Sequence, residues 1–425
     1  MQRPINAVSC VIFFMAFTTM SVRVAFAQEW TFEQLAREAG STHPAILSRQ
    51  QSQDAAQADV ESSKWQRWPT PAVSTGIDDG GDGSVVLSLQ QPLWTGGRIT
   101  AGIEGADARY AASREEVHKA WRAVLSRVID AYAEAVRRKC QQSIHYRNVQ
   151  QHERLLAMIT RRVEQEASPQ VDRALAQARL YQAVNDLSLV TQQLTIALTR
   201  LSELTGKEVS SIAPLENLSS GMPSSKSSAI DDAVSKSPTL AALAFQKDAA
   251  EADVKSRKAA YWPVVALRLE SREGYFWEQQ GERLSDRRAL IVLESQLGAG
   301  LSVASNVKSA VAKRQAIELE RQDALRELRT TISEAWDELT AARIRQRNTV
   351  ITKQSTQTVF ESYSRQYTIG HKSWLDVMNS VREATQAEIL AEDANAEVVR
   401  TTQRLRLLTD NLISRHEDTE TPRNN

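Results

Sequence analysis

The sequence predicts a mainly α-helical protein, built on long coiled-coil helices and interrupted twice by short amphipathic β-hairpins. Three observations predict it. The 425 residues hold only 16 Gly and 11 Pro, too few for a loop-rich globule. The chain repeats itself: residues 44–73 align without gaps on 238–267, with 12 of 30 pairs identical, including Asp54-Ala55-Ala56 on Asp248-Ala249-Ala250 and Trp68-Pro69 on Trp262-Pro263. Two stretches, 98–166 and 303–366, contain no proline and no glycine beyond Gly102 and Gly105. As helices they would each reach roughly 100 Å, too long for a compact domain.

Residues 1–27 read as a secretory signal peptide, with Arg3, an apolar stretch from Ala7 to Phe17, and Ala25-Phe26-Ala27 before Gln28. The stretch is shorter than the roughly 20 residues a membrane anchor needs. Removing it takes Cys10 and leaves Cys140 alone, so no internal disulfide is expected. No cysteine follows the cleavage site, so a lipid-anchored N-terminus is not expected either. Later segments lack any long apolar run, and a membrane crossing must therefore use strands.

The first structural repeat spans 28–204. It reads as a helix near Thr31 to Lys64, a β-hairpin over 72–94, a long helix over 98–166 and a helix over 171–204. Residues 205–228, with Gly206, Pro214, Gly221, Pro223 and many serines, read as a linker. The second repeat, 229–412, runs as a helix, a hairpin over 264–298, a long helix over 303–366 and a helix over 373–412; the polar tail 413–425 is expected to be disordered. Further along, Ala131-Tyr132 corresponds to Ala335-Trp336 and Asp172 to Asp376, a shift of 204 instead of 194. About ten residues are thus inserted, between the strands of the second hairpin.

Coiled-coil packing is read from spacings of three and four. One stripe runs Leu187, Val190, Leu194, Ala197, Leu201, Leu204; a second Leu325, Leu328, Ile332, Ala335, Leu339, Ala342; a third Ala391, Ala394, Val398, Thr401, Leu405, Leu408, Leu412. An ordinary bundle core explains the stripes as well, and helix length favours a tube. The shorter helices would each reach about 50 Å, so two stacked end to end match one long helix.

In the strands, Val85, Leu87 and Leu89 alternate with Val86, Ser88 and Gln90. Val265, Leu267 and Leu269 alternate with Ala266, Arg268 and Glu270, and Ile291 and Leu293 with Val292 and Glu294. Alternation of this length suits a membrane barrel. Aromatic residues bracket the strands as an interfacial girdle: Trp65, Trp68 and Trp94 around the first pair, and Tyr261, Trp262, Tyr275, Phe276 and Trp277 around the second. The acidic turn Asp78 to Gly83 belongs in water outside the cell and lacks the spacing of an EF-hand calcium loop. Four strands cannot close a barrel, and an open edge cannot sit in lipid. Two copies would give a nearly filled barrel of eight strands, whereas three would give twelve and room for a pore.

Composition narrows the function. Lys plus Arg balance Asp plus Glu at 52 each, leaving no basic field for nucleic acid. Hydrolase, zincin and P-loop motifs are absent from the sequence, and no cofactor or metal is called for. His145 and His152 stand seven apart on one helical face, where a solvated histidine pair is far commoner than a metal site.

Two segments carry a family resemblance. Gln91-Pro92-Leu93-Trp94-Thr95-Gly96-Gly97-Arg98 resembles the Q-P-L-[FW]-x-G-G-R signature of TolC-like outer-membrane efflux proteins, with Pro92, Gly96, Gly97 and Arg98 forming the strand-to-helix turn. Tyr367 to Asn379 resembles the family's Y-x-x-G-x-x-x-x-x-D-V-L segment at the lower helical turn. The second copy lacks the glycine pair, reading Gln296-Leu297-Gly298-Ala299-Gly300-Leu301. The resemblance implies a homotrimer with a twelve-stranded barrel in the outer membrane, a helical barrel in the periplasm and a closable aperture at the inner tip. It implies three partners beyond the chain itself: outer-membrane lipid, a periplasmic adaptor, and an inner-membrane ABC or proton-driven transporter. Type I protein secretion and small-molecule efflux both use this channel type, the missing lipidation cysteine favouring the former and leaving tripartite small-molecule efflux as the alternative; a non-transport coiled-coil protein is a third reading that leaves the strand pairs unexplained.

At the aperture the residues singled out are Tyr367, Gly370, Lys372, Asp376 and Asn379, with Glu164 and Glu166 in the pseudo-equivalent turn. Asp376, repeated around a threefold axis, would form a cation-preferring ring. Asn379 stands where relatives often carry a second acid. Lys372 would latch the closed state to Glu164 or Glu166. The competing reading of Asp376 is a helix cap.

Overall fold

A computed structural model describes residues 29–77, 83–213, 222–276, 282–295 and 302–409. The expected signal peptide, residues 78–82 of the acidic turn, Trp277, the Gly298 to Gly300 segment and the tail beyond Thr409 lie outside the described residues.

The chain starts with β1 (Glu29–Trp30), α1 (Phe32–Thr42) and α2 (Pro44–Trp65), then the hairpin β2 (Thr70–Ile77) and β3 (Gly83–Trp94). The long α3 (Arg98–Glu164) and the shorter α4 (Gln170–Thr205) follow. After β4 (Ser211–Ile212) come α5 (Lys226–Ser235), α6 (Pro238–Ala259), the hairpin β5 (Val264–Phe276) and β6 (Glu282–Glu294), α7 (Val303–Thr368) and α8 (Trp374–Leu408).

Three readings of the sequence need correction. The helix expected near Thr31 to Lys64 is two helices, because Pro44 has no N–H to continue the ladder and forces His43 out of the helical region (φ −69°, ψ 126°). His43 then caps the new helix, its Nδ1 accepting from the Ala45 N–H at 3.1 Å. The same break recurs at Ser237-Pro238, where Ser237 Oγ accepts from the Leu240 N–H at 3.3 Å. The linker 205–228 is also partly structured. Ser211–Ile212 pairs in parallel with Glu29–Trp30, and α5 begins at Lys226 under the cap of Ser225. Hydrophobic alternation cannot reveal a two-residue strand.

The 67 residues of α3 and the 66 of α7 give two helices of roughly 100 Å. α2 and α4 both pack along α3, and α6 and α8 both pack along α7. α6 also lies against α3, where Gly105 and Ala252 allow close approach: a Cβ built on Gly105 would stand 3.3 Å from that of Ala252. The predicted stripes are the buried faces: Val190, Ala197, Leu201 and Leu204 on α4, Ile332, Ala335, Leu339 and Ala342 on α7, Ala391, Ala394, Thr401 and Leu405 on α8.

Apolar burial concentrates in three places rather than one globular core. The first gathers Phe32, Leu35, Ile46, Val128, Tyr132, Leu201 and Ile212, where α1 and β4 close over α3 and α4. The second, at the far end of the long helices, is the tip described below. The third holds Ala229 and Ala233 of α5 against Ile332, Leu339 and Leu405. Between them the α8 seam is polar: Gln141 donates to Asp393 at 2.6 Å, Lys353 pairs with Glu388 and Glu392 at 3.2 Å, and Arg400 reaches Glu397, Asp130 and Glu338.

Candidate channel ends

At one end of the helices the two hairpins form one antiparallel sheet in the order β2-β3-β5-β6. Its register puts Val73 opposite Leu87, Leu87 opposite Ser271, Leu89 opposite Leu269, and Leu269 opposite Ala289. All apolar alternating residues therefore fall on one face, with Val73, Val85, Leu87, Leu89, Leu269 and Ile291 exposed on it. The other face is polar and more crowded. Arg268 donates to Gln90 Oε1 at 2.9 and 3.2 Å, and Arg288 pairs with Glu270 at 2.8 Å. A sheet with an apolar exposed face and a hydrogen-bonded polar face suits lipid outside and water within. Neither β2 nor β6 has a second neighbour in the sheet.

The strand-to-helix junctions carry the aromatic residues. Trp94 and Trp262 meet edge-on with centroids 6.2 Å apart, and Trp65 and Trp68 tilt together at 6.3 Å. These four and Tyr261 are between 46% and 68% exposed. The turn beneath them explains the glycine pair. Pro92 sits at a bulge in the β3–β5 pairing, Gly96 has φ +59° and Gly97, the N-cap of α3, φ +89°. A Cβ on Gly96 would meet Trp262 Cβ at 2.9 Å and the Ala259 carbonyl at 3.1 Å, so both backbone angle and packing exclude a side chain. Arg98 opens α3, its N–H donating to the Thr95 carbonyl at 3.1 Å.

At the opposite tip, two turns of matching design lie 204 residues apart. Glu166 (φ +58°) corresponds to Gly370 (φ +82°), and each turn closes with a longer-range backbone bond, Ala167 N–H to Arg162 O at 2.7 Å and His371 N–H to Gln366 O at 2.9 Å. Between the turns, Leu155, Ile159, Val163 and Ala176 pack on Tyr367, Trp374, Val377 and Met378, joining the first helix pair to the second. Tyr367 is the hub: its ring lies 5.3 Å from that of Trp374, Arg162 stacks over it at 4.8 Å, and its hydroxyl is 3.3 Å from Ser168 Oγ.

Asp376 caps α8. Its Oδ2 accepts from the Ser373 N–H at 3.1 Å and hydroxyl at 2.8 Å, while Ser373 Oγ accepts from the Asp376 N–H at 3.2 Å. The Ser373 hydroxyl bond, then its backbone N–H, then the nearby charge of Lys372 hold the carboxyl below the usual aspartate range. The Lys372 latch is not formed. Its ammonium lies 4.2 Å over the Tyr363 ring, folded back along α7, and among the described residues it pairs with neither Glu164 nor Glu166. Both acids are exposed, and Glu166 is held in the left-handed turn. Asn379 is half-buried in the second turn of α8.

Asp172, in the first turn of α4, also lies at this tip. Its N-cap is Pro169, which offers no side-chain acceptor, so Asp172 has no capping box, and burial raises its pKa. The 204-residue correspondence with Asp376 was the signal that it shares the tip. Arg162, Tyr363 and Trp374 had no sequence signal of their own.

Comparison with known proteins matches this architecture. The sequence profile of the outer membrane efflux protein family fits residues 35–207 and again 229–411, most of the chain. The chain belongs to the outer membrane efflux protein family. Among curated members, the outer membrane efflux protein BepC of Brucella suis is 20% identical over 323 residues, covering 75% of this chain and 70% of its own. Among solved structures, VceC of Vibrio cholerae superposes with a TM-score of 0.75 at 16% identity, over 89% of this chain and 95% of its own. The open state of MtrE from Neisseria gonorrhoeae gives 0.70 at 17% identity, over 89% and 88%. As an outer membrane efflux protein the chain resides in the outer membrane and extends into the periplasm. The fold places the sheet in the barrel wall and the long helices in the periplasmic α-barrel.

Proposed function

We propose that three copies of this chain assemble into a passive exit duct for tripartite small-molecule efflux, receiving substrate from an inner-membrane ABC or proton-driven transporter through a periplasmic adaptor. One observation carries the reading. The described sheet has four strands, two unpartnered edges and an apolar outer face at the end of helices roughly 100 Å long. Unpaired backbone groups cannot rest in hydrocarbon, so the edges must be closed by further copies, and three copies give a twelve-stranded barrel wide enough for a pore.

At the tip the reading assigns Asp376 to a threefold charge ring in addition to its capping role, with Asn379 weakening that ring and Asp172 adding to it. Tyr367 and Gly370 shape the turn that must move on opening, and the adaptor docks over the turns around Glu164, Glu166 and Lys372. Native mass spectrometry of the detergent-extracted protein tests the assembly. The expected species is a trimer; a stable monomer or dimer refutes it. Dye accumulation and culture-medium protein, compared in a deletion strain, separate efflux from protein export: raised dye with unchanged secretion is expected.

A further inference from the structure

We propose that the outward face of the sheet holds a phosphate-bearing lipid of the outer leaflet, with Arg287 at the headgroup and a groove across all four strands for an acyl chain. The inference rests on the reading of this sheet as barrel wall.

The register locates where the outward face ceases to be apolar. The last apolar outward residues are Ile77 on β2, Val85 on β3, Leu269 on β5 and Ala289 on β6. Ile77 pairs with Gly83, Val85 with Glu273, and Leu269 with Ala289, so the limit recedes by two residues, then four, then none. Six residues over three strand steps is the same order as the roughly four expected when a flat membrane plane cuts strands tilted by about 45°. The polar limit is therefore a diagonal across the sheet but level in the membrane.

Arg287 is the next outward residue after Ala289 on β6. It stands opposite Ser271, is exposed, and makes no ion pair among the described residues, whereas its inward neighbour Arg288 is committed to Glu270. A guanidinium that makes no ion pair is costly within hydrocarbon and is well placed at the level of anionic headgroups, where its planar fork matches phosphate; Glu273, the next outward residue after Ser271 on β5, lies beyond it toward the hairpin turn.

Beside it, a groove of about 580 Å³ crosses the outward face, lined by Pro71, Val73, Leu87, Leu89, Leu269 and Ala289, with Arg287 at its β6 end. It spans three strand spacings, roughly 14 Å. Because the limit is diagonal, the two ends lie at different depths. Arg287 sits at the limit, while Val73 and Pro71 lie four and six residues below Ile77 on β2. The groove thus descends from headgroup level into the apolar band, as a lipid tail with an anionic head requires. A free phosphate would have no use for the apolar floor.

The test uses the full-length purified protein in mild detergent, with native mass spectrometry reading both oligomer and bound lipid. The probes are diphosphorylated hexa-acyl lipid A, its dephosphorylated form, and inorganic phosphate. Wild type should retain lipid A, and Arg287→Ala should lower its affinity by about 10-fold through loss of a bidentate charge-assisted contact. Val73→Phe, which fills the groove without adding polarity, should also weaken it, and removal of the phosphates should erase the difference between wild type and Arg287→Ala. Equal lipid A retention in wild type and both variants overturns the inference, as does full displacement of lipid A by inorganic phosphate. A trimer with unchanged lipid binding overturns this proposal alone; a monomer overturns the barrel reading beneath it.

Discussion

Gly96→Ala probes the junction between barrel wall and periplasmic helix. At φ +59° an alanine has a left-handed strain of roughly 1–2 kcal/mol. The new Cβ would also stand 2.9 Å from Trp262 Cβ and 3.1 Å from the Ala259 carbonyl, atoms that cannot swing aside, and overpacking of this kind costs roughly 1–3 kcal/mol more. The sum is about 2–5 kcal/mol. Two neighbours serve as controls. Gly97→Ala at φ +89° meets nothing within 4 Å and should show backbone strain alone. Gly102→Ala, in the interior of α3 with nothing within 4 Å, should stabilise by about 1 kcal/mol. For a chain of this length 1 kcal/mol moves the melting temperature by roughly 1 °C. Circular dichroism melts at one scan rate should rank the variants Gly102→Ala, wild type, Gly97→Ala, Gly96→Ala from highest to lowest. If Gly96→Ala melts with or above Gly97→Ala, the contact with Trp262 and Ala259 is not what excludes the side chain.

At the tip, Glu166→Gly should stabilise by about 1 kcal/mol, because Glu166 is the only non-glycine residue at positive φ among the described residues and its counterpart is Gly370; a lower melting temperature refutes the strain. Single-channel recording should find reduced cation preference in Asp376→Asn, a change that keeps a side-chain oxygen to accept from the Ser373 N–H; unaltered selectivity leaves Asp376 a structural role only. Lys372→Ala should leave conductance near wild type, because the latch to Glu164 or Glu166 is not formed, and a large rise would restore the latch. His152, read from the sequence as solvated, is buried on α3, its pKa lowered first by burial and then by Arg179 from an ordinary 6.5. Below pH 6.5 the unfolded chain takes up this proton before the folded one does, so stability should fall on acidification, by at most about 1.4 kcal/mol per pH unit. His152→Leu should flatten that slope, and an unchanged acid profile would show that His152 does not set it.

The large elements were legible because their signals are periodic and long. Stripes such as Ile332, Ala335, Leu339 and Ala342 recur at helical spacing, and Val85, Leu87 and Leu89 alternate over a whole strand. The glycine pair was legible because positive φ admits few other residues. Legibility failed where structure is made by distant partners. Nothing near Ser211–Ile212 announces a strand, because its partner is Glu29–Trp30. The Lys372 latch was inferred from opposite charges in corresponding turns, yet an exposed ion pair is worth so little that an adjacent aromatic face, Tyr363, outcompetes it. The tip's Tyr367 hub likewise depends on Arg162 and Ser168, some two hundred residues away in sequence.

The contrast between unbroken and divided helices has a mechanical consequence. α3 and α7 are continuous beams, whereas the material alongside each is jointed, α2 with α4 in one half and α6 with α8 in the other. A continuous helix offers no break at which a displacement at the Tyr367 end can be absorbed, so α3 and α7 couple that tip to the sheet at the other end. The joints are where α2 begins at His43-Pro44 beside the end of α4 at Thr205, and where α6 begins at Ser237-Pro238 beside the end of α8 at Leu408; angular change is absorbed there, and the short β1–β4 pairing sits beside the first like a splint.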